Sequence, residues 1–135
     1  MKIRVVRSKD EITDLSPNET MVHFTFRPSG IDLMMLIKIC PKMRAIQLPS
    51  CYYKNLSKST RSIFDIQGVE LIEGDVWGNR KDIDEYYVID ERMLEEIVDL
   101  MSSGKNIDEV VSTIKNKTKL SAEMIKYIAK QKMVI

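Results

Sequence analysis

The sequence predicts an α/β fold: a short parallel sheet of about four strands with helices, in β/α repeats or a solenoid-like coil, followed by a small three-helix carboxy-terminal part. Three observations carry this. Short β-like runs alternate with helix-like runs through the first half, the pattern of a parallel sheet with helical crossovers. Runs beginning near residues 22, 45 and 69 recur at 23 and 24 residues, inside the ~20–29-residue period of β/α repeats. Beyond residue 90 the apolar residues take helical spacing instead.

The elements follow in order. Ile3-Arg4-Val5-Val6 reads as a strand and Ser8 to Leu15 as a helix; Met21 to Phe26 is a strand and Ile31 to Cys40 a helix. Pro28-Ser29-Gly30 can open that second helix, and Cys40-Pro41 closes it, because the residue before proline disfavours the helical region. Arg44 to Leu48 is the third strand, Leu56 to Ile66 the third helix with Gly68 as its cap, and Val69 to Ile72 the fourth strand. A coiled β/α repeat and an ordinary three-layer α/β sheet both fit this pattern. Lys81 to Asp90 reads as a charged connection carrying Tyr86-Tyr87-Val88-Ile89. Asp90 caps a helix from Glu91 to Ser103 that Gly104 ends, Asn106 caps a second, and Ser121 a third. The parts divide at 1–78, 79–90 and 91–135. Helices this short must pack together to be stable.

Composition narrows the function classes. The chain has 135 residues, 44% hydrophobic and 30% charged, which suits one compact domain or one small domain with an appended module. Asp32 and Lys38 interrupt its longest apolar stretch, so no run approaches the ~20 apolar residues of a membrane span. The basic amino terminus has no apolar core behind it, and two cysteines make no disulfide framework, so a cytoplasmic protein is expected. The net charge of +1 conceals segregation: +4 over residues 1–72, −7 over 73–99 and +4 over 100–135. Local fields of opposite sign therefore matter more than the sum.

The carboxy-terminal lysines give that last block a use. The acidic second helix Asp108-Glu109-Val110-Val111, followed by Leu120-Ser121 opening the third, resembles a helix-turn-helix DNA-binding unit. The resemblance implies a third helix lying in the major groove while neighbouring lysines meet phosphate. Carried onto this chain, it places Ser121, Ala122, Glu123, Lys126 and Tyr127 toward the groove, and Lys115, Lys117, Lys119 and Lys130 on phosphates. The third helix has no arginine, the commonest reader of guanine, and Glu123 repels phosphate. The run from Ile39 to Pro49 is similar to the helix-to-strand passage of a leucine-rich repeat. Pro41 to Pro49 and Glu73 to Tyr87 together resemble an uncharacterised archaeal family, found chiefly in methanogens and classed as a domain of unknown function. That resemblance implies a cytoplasmic archaeal origin and brings no activity, cofactor or catalytic residue.

Catalytic and metal-binding signals are sparse. His23 stands alone in a strand, on the face opposite Val22 and Phe24, and a base there needs a Ser or Cys partner. Cys40, Cys51 and His23 lack the paired spacing of a zinc site. No glycine-rich phosphate loop occurs. The acids Glu70, Glu73, Asp75, Asp82, Asp84 and Glu85 surround Trp77 and the tyrosine pair without calcium-loop spacing. Tyr52-Tyr53-Lys54 with Lys58 and Arg61 interleave aromatic and basic groups, which can stack a nucleic-acid strand or contact a protein. The leading expectation is a non-enzymatic regulator that binds DNA through the lysines of the last block, with no cofactor. In that reading the α/β part supplies a homodimer contact or a protein contact; the second expectation is a protein-interaction scaffold whose sheet binds a protein partner and in which the helices are a brace. The third is an enzyme holding a metal near Asp75.

Overall fold

Four strands, β1 (Lys2–Val6), β2 (Met21–Phe24), β3 (Ala45–Leu48) and β4 (Glu70–Glu73), stand parallel and in chain order in a computed structural model that describes residues 1–75 and 85–133. A fifth strand, β5 (Tyr86–Val88), runs antiparallel along the free edge of β1, giving the order β4-β3-β2-β1-β5. This corrects the reading of Tyr86 to Ile89 as connection. Three residues among acids carry no periodic signal, and it is the open edge of β1 that recruits them. Tyr87 stands opposite Ile3, and the Val5 and Ile89 N–H groups donate to the carbonyls of Glu85 and Met1 at 2.7 and 2.9 Å.

The connections between the parallel strands lie on one face. The first is a single 3-10 stretch, Lys9–Asp14, where the sequence reads a longer helix. Short runs are the usual extent of 3-10 helix, and this one buries Ile12 in the core on that face. The second is α1 (Gly30–Ile39), opened by a capping box in which the Asp32 N–H donates to Ser29 Oγ while the Ser29 N–H donates to the Asp32 carboxylate. The third splits into α2 (Ser50–Lys54) and α3 (Lys58–Ile66), because Ser57 caps a new start by accepting the Thr60 N–H. Leu33, Leu36, Cys40 and Phe64 from this layer pack on Val6, Val22, Phe24, Ile46 and Leu48. The outer side of α1 is apolar as well, with Ile31, Met34 and Met35 exposed.

Strand residues of the other parity turn to the opposite face. Ile3, Met21, Ala45 and Ile72 meet Leu94 and Ile97 of α4 (Glu91–Ser102), Val110 and Ile114 of α5 (Ile107–Lys115), and Met124, Ile125 and Ile128 of α6 (Ala122–Met133). Asp90 and Asn106 cap α4 and α5 as the sequence predicts, accepting the N–H groups of Arg92 and Glu109. Gly104 follows α4 at a φ of +90°, a conformation that disfavours any side chain. The result is three layers, with helices on both faces of a mostly parallel five-stranded sheet whose parallel strands lie in chain order. No helix among the described residues is long and apolar enough to cross a membrane.

Candidate functional site

The helix that the sequence assigns to a DNA groove lies instead along the sheet. Its start is tied to the far end of β4, where Ser121 Oγ donates to the Glu73 carbonyl at 2.9 Å. Its last turns run beside Met21 and Arg44, at the opposite end of the strands. Met124, Ile125, Tyr127, Ile128 and Ala129 are buried, which leaves a narrow outer stripe of Ala122, Glu123, Lys126 and Lys130. The buried arc is wide because α6 packs on strand residues from one side and on α4 and α5 from the other.

Each residue assigned to nucleic acid has a definite place. Lys115, Lys117, Lys119 and Lys130 are exposed and Lys126 is half-buried. Lys117 meets the Glu96 carboxylate, and Lys126 lies 3.8 Å from that of Glu123. Tyr127 is buried between sheet and helices, and burial pushes its phenol pKa up, so it has no face to offer a base. Ser121 is committed to the fold: besides its bond to Glu73 it accepts the Met124 N–H at 3.1 Å, capping α6. These two positions in the groove-facing set are therefore corrected to structural roles, while the lysines form an exposed rim at the end of α5, in the turn after it and along α6.

The interleaved tyrosines and cations after β3 also satisfy one another. Arg61 stacks over the Tyr53 ring at 4.4 Å and donates to the Tyr53 carbonyl at 2.6 Å, while Tyr52 and Tyr53 are half-buried against the α1–α3 core. Of the acidic stretch, Asp82 and Asp84, together with Trp77, lie outside the described residues. Among the described residues no three His, Cys, Asp or Glu side chains converge as metal ligands do. Cys40 is buried, its Sγ donating to the Ser16 carbonyl at 3.3 Å, and burial raises its pKa; Cys51 is exposed.

A second constellation forms where the sheet meets α6. His23 and Gln47 stand opposite each other on neighbouring strands, on the α4–α6 face, and are 0% and 1% exposed. His23 Nε2 lies 3.3 Å from Asp75 Oδ1 without hydrogen-bond alignment, and among the described residues neither His23 Nδ1 nor either amide atom of Gln47 has a hydrogen-bond partner. Gly74 closes the group. Its N–H continues the ladder to the Leu48 carbonyl at 2.9 Å, and a Cβ on it would stand 2.4 Å from Ser121 Oγ and 2.7 Å from Gln47 Nε2. Sequence reasoning singled out His23 and Asp75 separately and passed over Gln47. The available signal was a polar residue at the inward parity of the apolar run Ala45-Ile46-Gln47-Leu48.

Comparison with known proteins yields two family models. One, described as the N-terminal domain of a family of unknown function (DUF1699), matches residues 2–85. The other, described as the C-terminal HTH domain of the DUF1699 proteins of unknown function, matches residues 92–130. No curated protein and no solved structure matches the chain at a significant level.

Proposed function

The chain belongs to the DUF1699 family, and from that premise we propose that it is a non-enzymatic nucleic-acid-binding protein that grips the phosphate backbone with a lysine rim and does not insert α6 into a groove. The observation that carries the reading is the split of α6 itself, whose apolar arc is buried on the sheet while Lys126 and Lys130 remain on the outer stripe. Lys115, Lys117 and Lys119 extend the same basic segment through the α5–α6 turn. From residue 115 to residue 133 the chain carries six lysines and one acid. The preceding α4 carries Glu91, Glu95, Glu96 and Asp99 against Arg92, and α5 opens on Asp108 and Glu109, so the field is directional.

Phosphate contacts fix position and carry no sequence information, whereas base contacts specify. A rim of lysines with no arginine and no free aromatic ring is therefore an affinity device. The pairs Lys117–Glu96 and Lys126–Glu123 are exposed or half-exposed and are worth at most about 1 kcal/mol each, so a backbone phosphate competes for them. Binding should weaken with salt at about 0.9 in the log–log slope for each phosphate neutralised. The test is a gel-shift series on duplex DNA with Lys117, Lys126 and Lys130 changed to Ala together. Lower affinity and a shallower salt slope on every sequence tried are expected; unchanged affinity removes the assignment.

A further inference from the structure

We propose that the cavity at the amino ends of β2 and β3, beside the last turns of α6, binds a small organic acid through a single carboxylate. The cavity encloses about 270 Å³, and Thr20, Met21, Arg44, Tyr127, Gln131 and Lys132 are on its wall. That is just below the ~300 Å³ at which drug-sized sites begin, so the occupant is smaller than a nucleotide. Both parts of the chain build the wall, since Thr20, Met21 and Arg44 fall within the first family match and Tyr127 within the second. Such junctions are favoured places for ligands.

Tyr127 is the residue that points to a ligand. It is 7% exposed, and its hydroxyl makes no hydrogen bond among the described residues. Buried tyrosine hydroxyls ordinarily find a partner. This one is not sealed in as the Gln47 amide is, and Tyr127 is itself part of the cavity wall. Burial raises its pKa, so the phenol stays protonated at neutral pH and can donate, while the nearby Arg44 charge pulls the other way. Arg44 and Lys132, on the same wall, are exposed and make no ion pair among the described residues. Arg44 is firmly rooted: its N–H donates to the Thr20 carbonyl at 2.8 Å, and its carbonyl accepts the Glu70 N–H at 2.8 Å. A planar guanidinium grips a carboxylate bidentately, and the phenol and the ammonium add further donors.

Neighbouring acids set the charge of the occupant. The Glu70 carboxylate is close enough to act on the Tyr127 phenol, and Glu91, Glu95 and Asp99 line an adjoining cavity that shares Lys132. Those charges disfavour a doubly charged phosphate more than a singly charged carboxylate. Met21, 5% exposed, gives the wall an apolar part on which a short hydrocarbon body can lie. Neither Arg44 nor Tyr127 belongs to the lysine rim, so the site is separate from the nucleic-acid contact.

Butyrate is a suitable probe, titrated into the full chain at constant ionic strength and followed by amide chemical shifts, with butyramide and inorganic phosphate as comparisons. Saturable shifts at Met21, Arg44, Gln131 and Lys132 are expected, with butyramide silent and phosphate weaker. Tyr127→Phe keeps the ring in the core and removes only the hydroxyl. It should leave the ligand-free thermal midpoint unchanged or higher, yet weaken butyrate about tenfold, as loss of one hydrogen bond to a charged acceptor does. Arg44→Met should abolish the response and Arg44→Lys restore part of it. Absence of a saturable response overturns the proposal, as does butyramide binding as well as butyrate, phosphate binding more tightly, or full affinity in Tyr127→Phe. A lowered midpoint in that variant assigns the hydroxyl to the fold and overturns it too. Duplex binding by Tyr127→Phe should match that of the wild type, so failure here leaves the nucleic-acid reading standing.

Discussion

Tyr86 illustrates how one side chain collects partners from distant parts of the chain. Its hydroxyl donates to the carboxylate of Glu19, which is itself buried, and its ring lies under Lys2 at 4.2 Å and near Arg4 at 5.7 Å. The hydrogen bond to Glu19, aided by burial and by the Glu19 charge, pushes the Tyr86 pKa up to about 12 against an ordinary 10.0. A proton held more tightly in the folded than in the unfolded chain contributes stability below the unfolded pKa. It loses that contribution as pH rises through the folded one. Stability should therefore fall between about pH 10 and 12, and Tyr86→Phe should flatten that limb in urea midpoints measured against pH. An identical alkaline slope in both proteins would contradict the assignment. None of this was legible beforehand, because Glu19 and Tyr86 are 67 residues apart and each is unremarkable in its own stretch.

Element boundaries, by contrast, were largely written in local chemistry. Ser29, Asp90, Asn106 and Ser121 all act as caps, as their position before apolar-periodic runs implies. Gly68 and Gly104 take positive φ where helices end. The exceptions have a common cause. The Lys9–Asp14 stretch winds as a 3-10 helix with Ile12 buried in the core on the α1–α3 side, and β5 exists because an edge of β1 was open beside it. The passage out of β4 depends on Gly74, where strand end and helix start approach within the space of one methyl group. Gly74→Ala should lower stability by about 1–3 kcal/mol through overpacking against Ser121 and Gln47. Urea denaturation at neutral pH measures it, and an unchanged midpoint would show that the strand and α6 can separate freely.

The whole molecule is organised by one sheet serving two cores. Ile3, Met21, Ala45 and Ile72 on one face are covered by α4–α6, while Val6, Val22, Phe24, Ile46 and Leu48 on the other are covered by α1–α3. Neither core can be exposed without stripping the strands that carry the other. Although two family models divide the chain, heat should unfold it in one transition, with calorimetric and van't Hoff enthalpies equal. Two resolved transitions would mean that the helical part is only loosely docked.

The same arrangement separates what was readable from what was not. Strand and helix alternation, the capping residues and the segregation of charge all followed from the order of residues, because backbone preference and amphipathic period are local properties. The period of α6 also announced a buried side, but a stripe says only that a face is covered and never by what. The choice of a sheet as the cover removed Tyr127 and Ser121 from any groove and brought His23, Gln47 and Gly74 to one place. Those outcomes arise from contacts between residues far apart in the chain, where pairing is set by the shape and polarity of surfaces that exist only once the strands have assembled.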